Sequence, residues 1–90
     1  MSYTDYSGEE IDRRGNEIYE RTLRSKVETE ENIGKIIAVD IESGDYAIDD
    51  DVMPANRRVF ANHPHAVTWT KRIGYNAVYA VGGTLTRTAP

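Results

Sequence analysis

The sequence contains no cysteine, which excludes disulfide bonds, cysteine nucleophiles and zinc sites built from thiolates. It also lacks long apolar runs: runs such as Ile36–Val39 are far shorter than the ~20 residues that a transmembrane helix needs. The first residues, Met1–Asp5, are polar and acidic, unlike the start of a secretory signal peptide. We therefore expect a cytoplasmic protein of bacterial type that does not span a membrane.

Positive charge is also scarce. The chain has 11 Lys and Arg against 15 Asp and Glu, a net charge of −4. The imbalance lies in residues 1–34, which hold five basic and nine acidic residues, whereas residues 35–90 hold six of each. This charge opposes binding to nucleic acid except through a local patch. The 90 residues, of which 39% are hydrophobic, suit a single globular domain spanning residues 1–90.

Residues 7–31 are predicted to form a long N-terminal helix. Ser7 and Glu10 have the spacing of a capping box, which marks a helix start. Gly15 lies in the middle of the apolar face, where we expect it to permit a close packing contact rather than to break the helix. The apolar face itself consists of Ile11, Ile18, Tyr19, Thr22 and Leu23, which repeat at helical spacing.

Three arginines, Arg14, Arg21 and Arg24, fall on the opposite face of this helix. They alternate with glutamates such as Glu17 and Glu28. This pattern favours a solvated face with salt bridges over a basic binding stripe.

Residues 34–83 are predicted to form a ββαββ core with an antiparallel sheet, so the fold class is α+β. The first strand, Lys35–Ile41, is apolar on both faces except at its ends, which is typical of a central strand covered on each side. The two helices could supply both covers, or a second subunit could supply one. A turn at Ser43–Asp45 leads to a short second strand, Tyr46–Ile48.

The helix of this core is predicted to span Val52–Asn62 and to end before Pro64. The preceding carboxylates Asp49, Asp50 and Asp51 are placed to cap its free N–H groups. Its inward face is predicted to consist of Ala55, Val59 and Phe60.

Two strands, Ala66–Ile73 and Ala77–Val81, should follow around a turn at Gly74–Asn76, and residues 84–90 are predicted to be a frayed tail. Lys71 falls on the apolar side of its strand, which indicates an edge position. The predicted faces are Val67, Trp69 and Ile73 on one side, and Thr68, Thr70 and Arg72 on the other.

No catalytic residue, metal site or cofactor site is predicted. Asp49, Asp50 and Asp51, with Asp40, Glu42 and Asp45 nearby, offer oxygen ligands for a hard cation but lack the spacing of a calcium loop. Helix capping explains them better, and a metal-dependent hydrolase is the less favoured alternative. His63 and His65 lack a third metal ligand and are expected to be exposed or to stabilise a helix C-terminus.

Aromatic side chains and cations in the last hairpin point to a binding surface. Trp69, Arg72 and Tyr75 are the predicted partner-binding residues, because aromatics and arginine anchor protein interfaces. The second choice for partner-binding residues is the set of helix arginines Arg14, Arg21 and Arg24. The alternative for Trp69 is a place in the core. Lys71 and Arg72 with neighbouring aromatics form the alternative, nucleic-acid-binding hypothesis.

The segments Gly34–Asp49, His63–Ala66 and Arg72–Tyr75 resemble a family of small uncharacterised prokaryotic proteins that is common in cyanobacteria. The resemblance covers roughly residues 9–83. Members are often found in two-gene arrangements and are sometimes suggested to be antitoxin-like. The family has no assigned functional residues, so the resemblance assigns none here.

The sequence therefore predicts a non-enzymatic protein-interaction module without a cofactor. The resemblance adds that this module is the antitoxin-like half of a two-gene pair. A protein partner of unknown identity is expected, and homodimerisation is compatible with every hypothesis because a small α+β chain gains by sharing its sheet.

Overall fold

The structure, a computed structural model, describes residues 6–76 and 86–87. It confirms the α+β class: a 20-residue N-terminal helix and a shorter helix pack on a three-stranded antiparallel sheet. The predicted ββαββ core is not confirmed in the described residues, where the last two strands form a separate two-stranded pair.

Helix α1 comprises an α-helical segment Gly8–Ile18, a π-helical segment Tyr19–Leu23 and a last α-helical turn Arg24–Val27. Ser7 caps it as predicted, since its Oγ accepts the backbone N–H of Glu10 at 3.1 Å. The helix ends at Val27, four residues before the predicted end.

The π-helical segment places an unexpected turn in the middle of α1. The Arg24 N–H donates to the carbonyl of Tyr19, five residues earlier rather than four. Tyr19, Leu23 and Val27 are all buried, so α1 keeps one side against the sheet along its length.

The sheet is built from β1 (Ile36–Asp40), β2 (Tyr46–Asp49) and β3 (Thr68–Arg72) in the order β2-β1-β3. The central position predicted for the first strand is confirmed. Both neighbours of β1 are antiparallel. The turn between β1 and β2 contains Gly44 at φ +81°, a conformation that glycine adopts without steric penalty.

The two helices cover the two faces of β1. This is one of the two arrangements that the sequence left open, the other being a cover supplied by a second subunit. Ile37 and Val39 pack under α1 with Tyr19 and Leu23. On the other face lies α2 (Val52–Asn62), whose bounds match the prediction. The smaller core under α2 consists of Ile36, Ala38, Ala55 and Val59.

Gly15 provides the close contact that its position predicted. A Cβ at Gly15 would lie 2.5 Å from the Cβ of Trp69 and closer still to the indole ring. The Trp69 indole N–H donates to Asp12 Oδ1 at 2.9 Å, and its ring centroid lies 5.9 Å from that of Tyr19. The first half of α1 therefore rests directly on the tryptophan of β3.

The chain after β3 departs from the prediction. Ile73 and Gly74, at φ +85°, form the turn, and β4 (Tyr75–Asn76) pairs with β5 (Thr86–Arg87) instead of with β3. Tyr75 and Asn76 are thus strand residues rather than turn residues. The tail predicted to be frayed contains a paired strand at Thr86–Arg87, while the predicted strand Ala77–Val81 lies outside the described residues.

Candidate interaction surface

Trp69, the first of the predicted contact residues, belongs to the core. It is 5% exposed and is enclosed by Gly15 and Tyr19 of α1. A partner would have to displace α1 to reach its ring.

Arg72 and Tyr75 lie nearer the surface but are tied into the fold. Arg72 is exposed, and its Nη1 donates to the carbonyl of Gly34 at 2.7 Å. Tyr75, expected to be exposed, is half-buried, and its carbonyl accepts from the amine of Lys71. Whether Trp69, Arg72 and Tyr75 bind a partner stays a prediction, but they do not form one accessible surface.

Lys71 lies on β3, which has β1 as its one neighbour among the residues that the structure describes, and its side chain is half-buried. Its Nζ lies 5.3 Å from the centroid of the Tyr19 ring. Burial lowers the pKa of the Lys71 amine, while the coulombic attraction of Glu28 acts in the opposite direction. This amine, turned inward onto Tyr19, makes a poor phosphate contact.

The arginines of α1 form the salt bridges that the sequence favoured. Arg14 Nε lies 2.6 Å from Glu10, and Arg24 lies 2.8 Å from Glu20 and 3.3 Å from Glu28. Arg21 is 3.7 Å from Glu17. Because each guanidinium faces a carboxylate, this side of α1 carries little net positive charge.

The β1–β2 turn and the end of α2 meet in a polar cluster that the sequence did not reveal. Asp40, 3% exposed, accepts the hydroxyl of Ser43 at 2.8 Å. His63 donates from Nε2 to Asp45 Oδ2 at 2.9 Å, and its Nδ1 lies 3.9 Å from Asp40. The hydrogen bond from His63, followed by the one from the Tyr46 N–H, lowers the pKa of the Asp45 carboxyl.

This cluster joins the end of α2 to the β1–β2 hairpin. The Ser43 hydroxyl donates to Asp40, and its oxygen also accepts the Asp45 N–H, so the proton of Ser43 is held by a carboxylate and not by the imidazole. A shallow pocket of about 260 Å³ beside it is lined by Glu42, His65 and neighbouring residues. No group of three or more potential metal ligands occurs within residues 6–76 and 86–87.

The carboxylates before α2 do less capping than predicted. Asp51 is the N-cap residue of α2, but its side chain makes no capping hydrogen bond. Asp49 instead accepts the N–H of Asp50 at 2.7 Å and pairs with Arg58 at 3.2 Å. The side-chain capping predicted for Asp51 is therefore wrong, and Asp49 links β2 to α2.

The exposed large apolar side chains are concentrated on α2. Met53 is 70% exposed, Val52 45% and Phe60 40%. The inward orientation predicted for Phe60 is wrong: Ala55 and Val59 already face the sheet, and Phe60 follows Val59 by about 100° around the helix.

These side chains lie on one side of α2. Successive residues of an α-helix are rotated by about 100° around its axis. By this rule the three apolar side chains lie within an arc of roughly 100°, in the order Val52, Phe60 and Met53. Arg57 lies next to Met53 around the axis. No described residue pairs with the Arg57 guanidinium. We call Val52, Met53, Arg57 and Phe60 the α2 stripe.

The α2 stripe faces away from β2. Arg58 bonds Asp49 of β2, and Phe60, two residues later, points about 200° away from Arg58. Arg72 of β3 is paired with Ile36, which packs under α2, so Arg72 lies on the same face of the sheet as the stripe. Sequence reasoning missed this surface, although the spacing of Met53 and Phe60 around the helix axis was a signal for it.

No protein-family model, curated protein or solved structure matches this chain. None of the helices in the described part is both long enough and apolar enough to cross a membrane.

Proposed function

We propose that this protein is a non-enzymatic interaction module that binds a partner protein through the α2 stripe. The observation that supports this most directly is the exposure of Val52, Met53 and Phe60 on the same side of one helix. Exposed apolar side chains of this size on one side of a helix favour association because a partner removes them from water.

The composition of the stripe suggests the chemistry of the partner. Phenylalanine, methionine and arginine are enriched in the cores of protein interfaces. Arg57, which no described residue pairs, provides a cation at the margin of the stripe. We expect a partner surface with large apolar side chains and a carboxylate placed to reach Arg57.

Arg72 extends the proposed surface across the sheet. It is exposed on the same sheet face as α2, so one partner could contact both elements. Tyr75 and Trp69 contribute less in this arrangement, because the first is half-buried and the second lies under α1. The more specific role, an antitoxin-like half of a two-gene pair, would make the partner the product of the neighbouring gene.

The test replaces the most exposed apolar side chain with a polar one of similar size, Met53→Gln. Affinity capture with the tagged wild type should yield one stoichiometric protein that survives nuclease treatment, and its Kd should rise at least about tenfold in the variant. Ala61→Gln is the matched control, since Ala61 is exposed on the same helix but outside the stripe.

Three results would contradict the proposal. Equal losses with Met53→Gln and Ala61→Gln would show that the stripe has no special part in binding. Captured material that disappears with nuclease and weakens steeply with salt would favour the nucleic-acid-binding alternative instead. Capture of no stoichiometric partner from the native lysate would remove the support for an interaction module.

A further inference from the structure

The only sulfur atom in the described part of the chain belongs to the α2 stripe. The sequence has no cysteine and two methionines, Met1 and Met53, and only Met53 lies among the described residues. Its side chain is 70% exposed, which makes it the most exposed of the large apolar side chains that the structure describes. A thioether that is open to solvent in this way is open to oxidation by peroxides.

The side chain of Met53 does not contribute to the packing of α2 on the sheet. Met53 lies about 200° around the helix from Ala55, which is fully buried against the sheet. The other inward residue, Val59, lies about 120° from Met53. A chemical change at the Met53 sulfur should therefore alter the surface of α2 and leave its core contacts in place.

Arg57 is the neighbour of Met53 on the helix surface. It follows Met53 by four residues, a spacing at which two side chains of an α-helix can meet. No described residue pairs with the Arg57 guanidinium. A sulfoxide oxygen at Met53 would give this guanidinium a hydrogen-bond acceptor within the stripe, whereas the thioether sulfur is only a weak acceptor.

We infer that Met53 is a redox-sensitive modification site, at which a peroxide converts the thioether to a sulfoxide and lowers the affinity of the α2 stripe for apolar surfaces. The sulfur attacks one oxygen of hydrogen peroxide, the O–O bond breaks, and the released hydroxide takes the proton of the transferred oxygen and leaves as water. The sulfur loses two electrons and the peroxide gains them. A thiol-dependent sulfoxide reductase reverses the step, with two thiols oxidised to a disulfide and the oxygen released as water.

The consequence for binding rests on the proposed function, whereas the oxidation itself does not. A partner that covers the stripe would have to bury the polar S=O group in an apolar contact, which costs free energy. A hydrogen bond from Arg57 to the sulfoxide would also withdraw the cation from the carboxylate expected on the partner. Oxidation should thus act on the apolar part and on the charged part of the stripe together.

The experiment treats the full chain with dilute hydrogen peroxide and locates the added oxygen by mass spectrometry after proteolysis, which separates Met53 from Met1. Met53 should be oxidised about as fast as the methionine of a short peptide. Retention on a phenyl resin, a probe of exposed apolar surface, should fall on oxidation, and thermal unfolding should be unchanged. Met53→Leu is the matched control, because it has no sulfur at this position; its retention should be the same before and after peroxide.

Binding is measured on the same samples, with the protein that the tagged wild type captures from its native lysate. Oxidation should raise the Kd of the wild type at least about tenfold. The Kd of Met53→Leu, whatever its starting value, should not change with peroxide. Treatment of the oxidised wild type with a sulfoxide reductase should restore the original Kd.

Three outcomes would overturn the inference. Oxidation of Met53 at least about tenfold more slowly than in a short peptide would show that its sulfur is shielded. Unchanged retention on the phenyl resin would show that the sulfoxide leaves the stripe as apolar as before. An oxidised wild type that binds its partner as tightly as the untreated protein, while Met53→Gln binds weakly, would overturn the inference and leave the proposed function intact.

The converse result separates the two proposals. If oxidation lowers retention on the resin but neither oxidation nor Met53→Gln changes partner binding, Met53 is still the modification site and the proposed function is wrong.

Discussion

Replacement of Gly15 by alanine should destabilise the protein, although alanine is the better helix former by about 1 kcal/mol. The new Cβ would lie 2.5 Å from the Cβ of Trp69 and nearer to the ring. Carbon atoms pack at about 3.5–4.0 Å, so α1 or β3 would have to move by more than about 1 Å. Trp69 cannot swing away, because it is enclosed and its indole bonds Asp12.

The expected change in the free energy of unfolding is the balance of two destabilising contributions and one stabilising contribution. Overpacking costs about 1–3 kcal/mol, and a strained Trp69–Asp12 hydrogen bond adds about 1 kcal/mol. After the gain in helix propensity is subtracted, we expect a net loss of about 2 kcal/mol in the free energy of unfolding. For a chain of this size, that corresponds to a fall in Tm of about 8–16 °C.

The assay is thermal and urea unfolding followed by circular dichroism and by the fluorescence of Trp69, the single tryptophan of the chain. Gly8→Ala is the matched control on the same helix, since a Cβ at Gly8 would meet nothing within 4 Å. Its effect should stay within about 0.5 kcal/mol.

A double-mutant cycle isolates the contact itself. In a Trp69→Val background the ring is gone, so Gly15→Ala should become neutral or stabilising. A Gly15→Ala variant as stable as the wild type, or one whose effect is the same in both backgrounds, would show that the Gly15–Trp69 contact does not limit stability.

Two further predictions concern titrating groups. His63→Ala should raise the pKa of the Asp45 carboxyl toward its usual value, whereas His65→Ala should not; NMR titration of the Asp45 carboxyl measures this. The pKa of the Asp45 carboxyl is lowered in the folded state, so the ionised carboxylate stabilises the fold above about pH 4. This stabilisation is lost as the pH falls through the folded pKa. The loss should be smaller in His63→Ala. Burial, followed by the 2.7 Å hydrogen bond to Glu28, raises the pKa of Tyr19, so the wild type should lose stability as the pH rises above about 10. The Tyr19→Phe variant should be about 1 kcal/mol less stable than the wild type near pH 7, but its stability should not fall further above about pH 10. Urea unfolding at several pH values measures this. A fall in stability in that alkaline range equal to that of the wild type would contradict the prediction.

The parts of the fold that the sequence predicted correctly depend on local signals. The end of α2 at Asn62 follows from Pro64, because the residue before a proline avoids the helical conformation. The central place of β1 follows from its consecutive apolar residues Ile36–Val39, which leave no polar side, and the structure buries all of Ile36–Asp40.

The parts that it missed depend on contacts between distant residues. The His63–Asp45 hydrogen bond spans 18 positions, and neither residue lies in a recognisable motif. Phe60 was placed inward because it is apolar, but the narrow contact of α2 with the sheet is filled by Ala55 and Val59. Burial of Trp69 could be anticipated only in part, since its neighbour Gly15 is far away along the chain.

The π-helical turn in α1 helps to keep Tyr19, Leu23 and Val27 on the side of the helix that faces the sheet. In a regular α-helix the eight steps from Tyr19 to Val27, at about 100° each, would rotate Val27 about 80° away from Tyr19. The π-helical turn accommodates roughly one additional residue per turn and offsets much of that rotation, so both side chains remain buried. Segment Tyr19–Leu23 thus keeps the buried side chains of the two ends of α1 in line. Deletion of one residue there should rotate one end of α1 relative to the other, so that only one end keeps its packing on the sheet.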